Sequence, residues 1–169
     1  MNWASCDAND FFFSPFDLLR NRWALLSAGT QKYWDTMTVS WGQFGELWGK
    51  HVATVYVRPQ RHTHFFMDMC DTFSISFLPE ADHRIMEYCG KKSGREVDKA
   101  AETGLRPIFD HNTILFEQSE LTIVCRKLYV QRIDPAGFID RECDTKNYPN
   151  HDYHDMYIGE IIGIYRAQS

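Results

Sequence analysis

Three hydroxyl side chains spaced two apart, Thr36, Thr38 and Ser40, alternate with Met37, Val39 and Trp41. In an extended chain alternate side chains point to opposite faces, so the run predicts hydroxyls on one side and large apolar groups on the other. Such a face can carry water on the wet side of an edge strand. It can equally line a cavity for a polar, planar molecule, with backbone amides adding hydrogen bonds. Two other stretches could seat an anion. Arg58 and Arg61 flank Pro59 and Gln60 just past a strand, and His62 and Thr63 lead into a short helix predicted over 64–71 with Thr63 as its cap. Free amides and the helix dipole favour negative charge at such a point. Farther on, Lys91 and Lys92 precede Ser93, which with Glu96 predicts a capping box opening a helix that runs to Gly104. Lysines at the positive end of a helix are unfavourable by about a few tenths of a kcal/mol each and ask for a counter-anion such as phosphate. A solvated turn and a wet loop are the bland alternatives for these two stretches.

Metal chemistry is not indicated. His62 and His64 alternate but have no thiol or carboxylate set beside them, and His151 and His154 with Asp152 and Asp155 lie in a loop whose spacing fixes no coordination geometry. The five cysteines, Cys6, Cys70, Cys89, Cys125 and Cys143, are odd in number, far apart and without a CxxC pair, so they read as small apolar residues.

The elements that must position these groups are mostly strands. Trp23–Ala28 is followed by the hydroxyl run, and Gly42, Gly45 and Gly49 read as a loop leading by a hairpin to 53–57, rich in β-branched residues. Their spacing does not match GxGxxG and no βαβ alternation follows, which excludes a Rossmann domain. Strands are predicted at 72–78, with Phe73, Ile75 and Phe77 on one face, at 113–116, at 121–133 and at 156–165. A helix over 80–89 is predicted to end at Gly90 in the left-handed conformation. Near the start, Ser14 caps a short helix with Pro15 at its first position and Asp17 in its first turn, part of an extension over 1–22 that packs an apolar plug from Phe11 to Leu19 on the domain. Many short strands with helices inserted midway predict a mainly β protein, a barrel or sandwich with helical additions.

The chain has 169 residues and a net charge of −5, which fits one domain and excludes a general nucleic-acid or anionic-membrane surface. It lacks an apolar run of membrane-spanning length and a basic-then-apolar N-terminus, so a cytoplasmic protein is expected.

In order along the chain, Leu26-Ser27-Ala28-Gly29, Thr36 to Gly42, Gly45 to Lys50, Val57 to Thr63, Phe73 to Phe77 and Ser93 to Lys99 resemble the flavin reductase-like family, as does the tail from Asp152 through Tyr153 and His154 to Ile161. The resemblance spans the chain from about Trp23 onward. It implies an FMN-binding split β-barrel of Greek-key type with inserted helices, a homodimer with the flavin near the subunit boundary, and non-covalent FMN. It implies that Thr36 to Trp41 lies along the flavin ring, and that Arg58, Pro59, Arg61, His62 and Thr63 meet the ribityl chain and phosphate. Lys92 and Ser93 are implied on the phosphate side, and Tyr153 and His154 near the flavin face, with His154 as a proton source. The implied activity is hydride transfer from NADH or NADPH to the flavin N5. A flavoredoxin-like electron carrier serving a redox partner protein is the alternative, and a binding module on the same barrel is the floor. His51 stands where the family often has proline, and His62 and His64 where it commonly has Tyr-Thr-Glu, so substrate and donor preference do not carry over.

Overall fold

A computed structural model describes residues 3–10 and 13–167; Phe11 and Phe12 of the predicted plug lie outside them. Ten strands are described: β1 (Trp3–Ser5), β2 (Ala24–Thr30), β3 (Tyr33–Val39), β4 (Gly42–Leu47), β5 (Lys50–Val57), β6 (Thr72–Phe77), β7 (Pro107–Asp110), β8 (Thr113–Phe116), β9 (Leu121–Arg132) and β10 (Asp155–Ala167). The main sheet is antiparallel in the order β3-β2-β6-β9-β10-β5-β4, with β1 added on β10, while β7 and β8 form a separate hairpin. Val39 pairs with Ala24 at one edge of that order and Gly42 pairs with Val55 at the other. Only Ser40 and Trp41 separate them. Three Cα steps reach at most about 11 Å, so the sheet must curl until its edges nearly meet. The result is a split barrel whose seam is bridged by Ser40 and Trp41.

The hydroxyl run, expected as one strand, thus ends as a strand at Val39, and the chain resumes as β4 at Gly42. Gly42 and Gly45 lie within β4 rather than in a loop, and only Gly49 turns the chain. Trp48 (φ 56°) and Gly49 (φ 66°) are both left-handed and close the β4–β5 hairpin over the Leu47–Lys50 pair, a backbone twist that suits two-residue hairpin turns. The β3–β5 hairpin expected from the glycines is replaced by this β4–β5 hairpin.

β2 is buried along nearly its whole length because both of its faces are covered. Ala24, Leu26 and Ala28 face the barrel interior with Met37, Val39, Val55, Phe73, Ile75, Phe77 and Tyr157. Leu25 faces a second core with Leu78, Met86, Cys89, Leu105, Ile114 and Phe116. A strand covered on both sides reads as a continuous apolar run rather than an alternation. β6 is covered in the same way: Thr72 donates to Asn112 O at 2.5 Å and Ser74 to Ile114 O in the β7–β8 hairpin.

Five α-helices and three short 3-10 helices, Ala8–Asp10, Glu80–Asp82 and Pro135–Gly137, complete the described chain. α1 (Pro15–Asp17) is capped by Ser14 with Pro15 at its start, as its sequence predicts, and continues as a wider π-turn over Leu18–Arg22. Leu18 and Leu19 from that turn enter the barrel core, as do Phe66 and Met67 of α2 (His62–Met69). α3 (His83–Lys91) and α4 (Lys99–Thr103) lie beside β3 and β2, and α5 (Arg141–Asn147) precedes the tail. Three capping expectations are corrected. Arg61 stands at the N-cap of α2, because the Thr63 hydroxyl is used elsewhere. Asp98 rather than Ser93 caps α4, its carboxylate accepting from Ala101 N, while 94–97 form turns. Gly90 is helical; a Cβ there would meet Thr38 Cβ at 3.4 Å, so glycine serves close helix–strand approach. Gly104 ends α4 at φ 74°, as expected. Among the described residues no helix is long and apolar enough to cross a membrane.

Candidate functional site

The seam at Ser40 and Trp41 is where the candidate site lies. Because β3 ends the strand order, its outer edge has no strand partner among the described residues. The backbone from Met37 to Trp41 there faces a small cleft of about 170 Å3, whose other walls are Tyr56, Arg58 and His154. Two further depressions adjoin it. One of about 270 Å3 lies between Trp23, Thr38, Met86, Gly90 and Lys91. The other, about 750 Å3, opens beside Trp41 among Leu19, Phe44, Tyr56, Ile133 and Tyr148, within the range of roughly 300–1,000 Å3 typical of ligand clefts.

The hydroxyls are not arranged as their alternation suggests. Thr36 is fully buried, with Ser27 donating to its Oγ1 at 2.8 Å and its own hydroxyl donating to Leu26 O at 3.2 Å, so it lines no cavity. Thr38 donates to Met86 O at 2.5 Å and ties β3 to α3. Ser40 alone is exposed. Met37 and Val39 send their side chains into the barrel core, so what they present to the cleft is backbone. Trp41 keeps 46 % of its surface exposed and forms an aromatic wall.

Both cationic stretches meet, although in an order the sequence does not reveal. Arg61 donates to Gly90 O at 2.7 Å and Cys89 O at 3.1 Å, and Arg95 to Gln60 O at 3.1 Å. These bonds bring the turn from Pro59 to Thr63 against Lys92, Ser93 and Gly94. Burial lowers the pKa of Arg61, with the Asp35 charge opposing. Beneath the junction lies a buried ion pair. Lys99 Nζ sits 3.1 Å from Asp35 Oδ1 and donates to Thr36 O, while Thr63 donates to Asp35 Oδ2 at 2.7 Å. Burial lowers the Lys99 pKa and Asp35 opposes that shift. Glycine at 94 leaves room for the Asp35 carboxylate, which a Cβ there would force to shift. Above the pair, α2 has no side chain capping its first amides, and the Nδ1 of His62 is buried without a partner. A buried polar atom left unpaired beside free amides and lysines suits an anionic group.

Arg58 lies elsewhere. Its guanidinium pairs with Asp152, donates to Asn147 O at 2.9 Å and lies 5.3 Å from the centre of the Tyr148 ring. With its charge matched, Arg58 braces the tail against the cleft and does not stand among the free cations. Tyr153 is turned away, its hydroxyl donating to Asp144 at 2.9 Å. Tyr148 takes the place expected for it, 2.9 Å from His154 Nδ1. His154 is buried, with Trp41 at 5.2 Å between ring centres, and desolvation followed by the nearby Arg58 charge pushes its pKa down to about 4. It is neutral near pH 7 and stands as a hydrogen-bonding wall of the cleft. Tyr56, Tyr148, Leu19 and Phe44 are the wall residues that sequence reasoning missed. Tyr56, the one ring in the run 53–57, carried a signal.

The arrangement offers a strip of unpaired backbone hydrogen-bonding groups, aromatic walls to either side, and a cationic pocket at one end. It suits a flat heteroaromatic ring carrying a phosphate arm, and FMN has that chemistry.

Comparison with known proteins identifies the family. The family described as flavin reductase like domain matches residues 21–169. No curated protein matches the sequence. Among solved structures, the FMN-binding domain of a flavin reductases-like enzyme from Shewanella baltica OS155 superposes with a TM-score of 0.69 at 18 % identity, over 98 % of this chain and 77 % of the other. Flavoredoxin from Methanosarcina acetivorans gives 0.67 at 19 %, over 87 % and 69 %. The styrene monooxygenase flavin reductase of Pseudomonas putida S12 gives 0.63 at 14 %, over 87 % and 80 %. At these identities the likeness is one of fold.

Proposed function

Because the chain belongs to the flavin reductase like family, we propose that it is an FMN-binding flavoprotein reduced by NADH or NADPH, a flavin reductase in the broad sense. The observation that carries this reading is the unpaired edge of β3, facing a cleft with aromatic walls and a cationic end. Bound FMN would supply the redox chemistry, while the protein sets its position and its access to reaction partners. The edge amides between Thr38 and Trp41 are the groups available to hydrogen-bond the ring's polar rim and to stabilise negative charge there. Lys92, Ser93, His62 and the first amides of α2 would hold the phosphate, with the Arg61 charge fixed beside them by its bonds to α3. Trp41 and Tyr56, which line the cleft, would shield the ring from water. The open cleft of about 750 Å3 beside Trp41 favours a small-molecule reaction partner over an electron-carrier role that needs only an exposed ring edge.

A homodimer belongs to the same proposal. It is supported by Tyr129, Val130, Trp48 and Ile162, large apolar side chains left 41–58 % exposed on the sheet and its hairpin turn.

The test is spectroscopic. Purified protein incubated with FMN is expected to retain a yellow chromophore through desalting, and NADH or NADPH is expected to bleach it without oxygen. Lys92→Ala is expected to weaken FMN by about tenfold and riboflavin much less. Protein that stays colourless after incubation with excess FMN overturns the proposal; equal losses for both ligands overturn the phosphate assignment alone.

A further inference from the structure

The cleft of about 750 Å3 beside Trp41 has one wall from outside the family domain. Pro15, Phe16, Leu19 and Arg20 line it, and all precede residue 21, where the family match begins. The segment is held firmly. Ser14 caps its first turn, Leu19 is 7 % exposed in the barrel core, and its two methyls lie 3.6 and 3.7 Å from where a Gly42 Cβ would be. The lack of a side chain at Gly42 is required by β5, whose Thr54 O would lie 2.7 Å from a Cβ there, and Leu19 packs over the same position at ordinary contact distance. With Leu19 as the anchor, Phe16 and Arg20 fall four residues apart, hence on one side of the turn, and both border the cleft.

Neither side chain is explained by the fold. Phe16 is 82 % exposed, an aromatic ring with its hydrophobic surface in water beside an apolar cavity. Arg20 is exposed, and no carboxylate pairs with it among the described residues, whereas Arg22 two positions on is paired with Glu120. The opposite wall, Trp41, Phe44, Tyr56 and Tyr148, is aromatic. Placed together, an unsupported ring, an aromatic wall and one unmatched guanidinium suit a flat apolar molecule with a single negative charge at its edge.

We infer that Phe16 and Arg20 are specificity-determining residues, and that the cleft takes a planar aromatic acid, its rings against Phe16 and Trp41 and its carboxylate on Arg20. The inference deepens the flavoprotein reading and rests on it for the claim that this molecule is the reaction partner.

The probes are 2-naphthoate and its uncharged counterpart 2-naphthamide, titrated by calorimetry into the full-length protein with and without FMN. Wild type is expected to bind the acid about fivefold more tightly than the amide, a modest ratio because Arg20 is solvated. Arg20→Ala is expected to erase that ratio while leaving the amide unchanged. Phe16→Ala is expected to weaken both by about fivefold and keep the ratio. Both positions are exposed, so neither variant endangers folding. An unchanged ratio in Arg20→Ala overturns the anion assignment, and no binding of either probe overturns the cleft assignment. Displacement of naphthoate by NADH reassigns the wall to the electron donor and overturns the aromatic-acid class. Protein that takes up FMN yet ignores both probes refutes this inference alone; protein that binds them with the expected ratio but never takes up FMN refutes the flavoprotein reading instead.

Discussion

Acidification is expected to weaken this fold well before its carboxylates are protonated, through His154. The ring is 8 % exposed, bonded to the Tyr148 hydroxyl at 2.9 Å and close to Trp41 and Tyr56. Burial and then the Arg58 charge disfavour the imidazolium, against weaker help from Asp152 and Asp155, and bring its pKa to about 4. In the unfolded chain the same group titrates near 6.5. Between these values the unfolded state binds the proton and the folded state does not. The contribution of neutral His154 is therefore complete above about pH 6.5 and is lost as the pH falls toward about 4. At about pH 4.5 the loss comes to roughly 2.5 kcal/mol, a large share of the 5–15 kcal/mol typical of a domain. Urea unfolding at several pH values between about 7.5 and 4.5 measures it. His154→Gln retains a hydrogen-bonding group for Tyr148 and removes the titration, so its stability should fall by roughly 2 kcal/mol less over that interval. His62, whose pKa is also lowered by burial, leaves the variant a residual slope in the same direction. Parallel pH profiles for wild type and variant, or a His154 ring that titrates near 6.5 by NMR, would refute the reasoning.

Three further outcomes are expected. Lys99→Met leaves Asp35 buried without its cation and should cost about 3–5 kcal/mol in urea unfolding, with Asp35→Asn in the same chain restoring part of it. Gly94→Ala drives a Cβ against Asp35 and His62; it should cost about 1–3 kcal/mol and weaken FMN in a fluorescence titration, whereas Gly45→Ala, with nothing within 4 Å, should leave FMN binding unchanged. A thiol reagent should modify exposed Cys143 in the native protein. Cys89 and Cys125 should react only after unfolding, being buried, with the Cys89 pKa pushed up to about 11.

Local chemistry makes several parts of this protein legible in its sequence. Alternation places Met37 and Val39 opposite Thr36 and Thr38, Ser14-Pro15 opens a helix, and Phe73, Ile75 and Phe77 share the core face. These follow from strand period and cap geometry, which depend on residues within a few positions of one another. What the hydroxyls and charges do depends on partners far along the chain. Thr36 is consumed by Ser27, Thr38 by Met86, Arg58 by Asp152 and Asp35 by Lys99, at separations from 9 to 94 residues. Likewise, Tyr148 rather than Tyr153 reaches the cleft because α5 supplies Asp144 to hold Tyr153 away. A side chain's type says which bonds it can make; only tertiary packing decides whether water, a ligand or another residue makes them, because a buried polar group must find its partner wherever the fold brings one within about 3 Å.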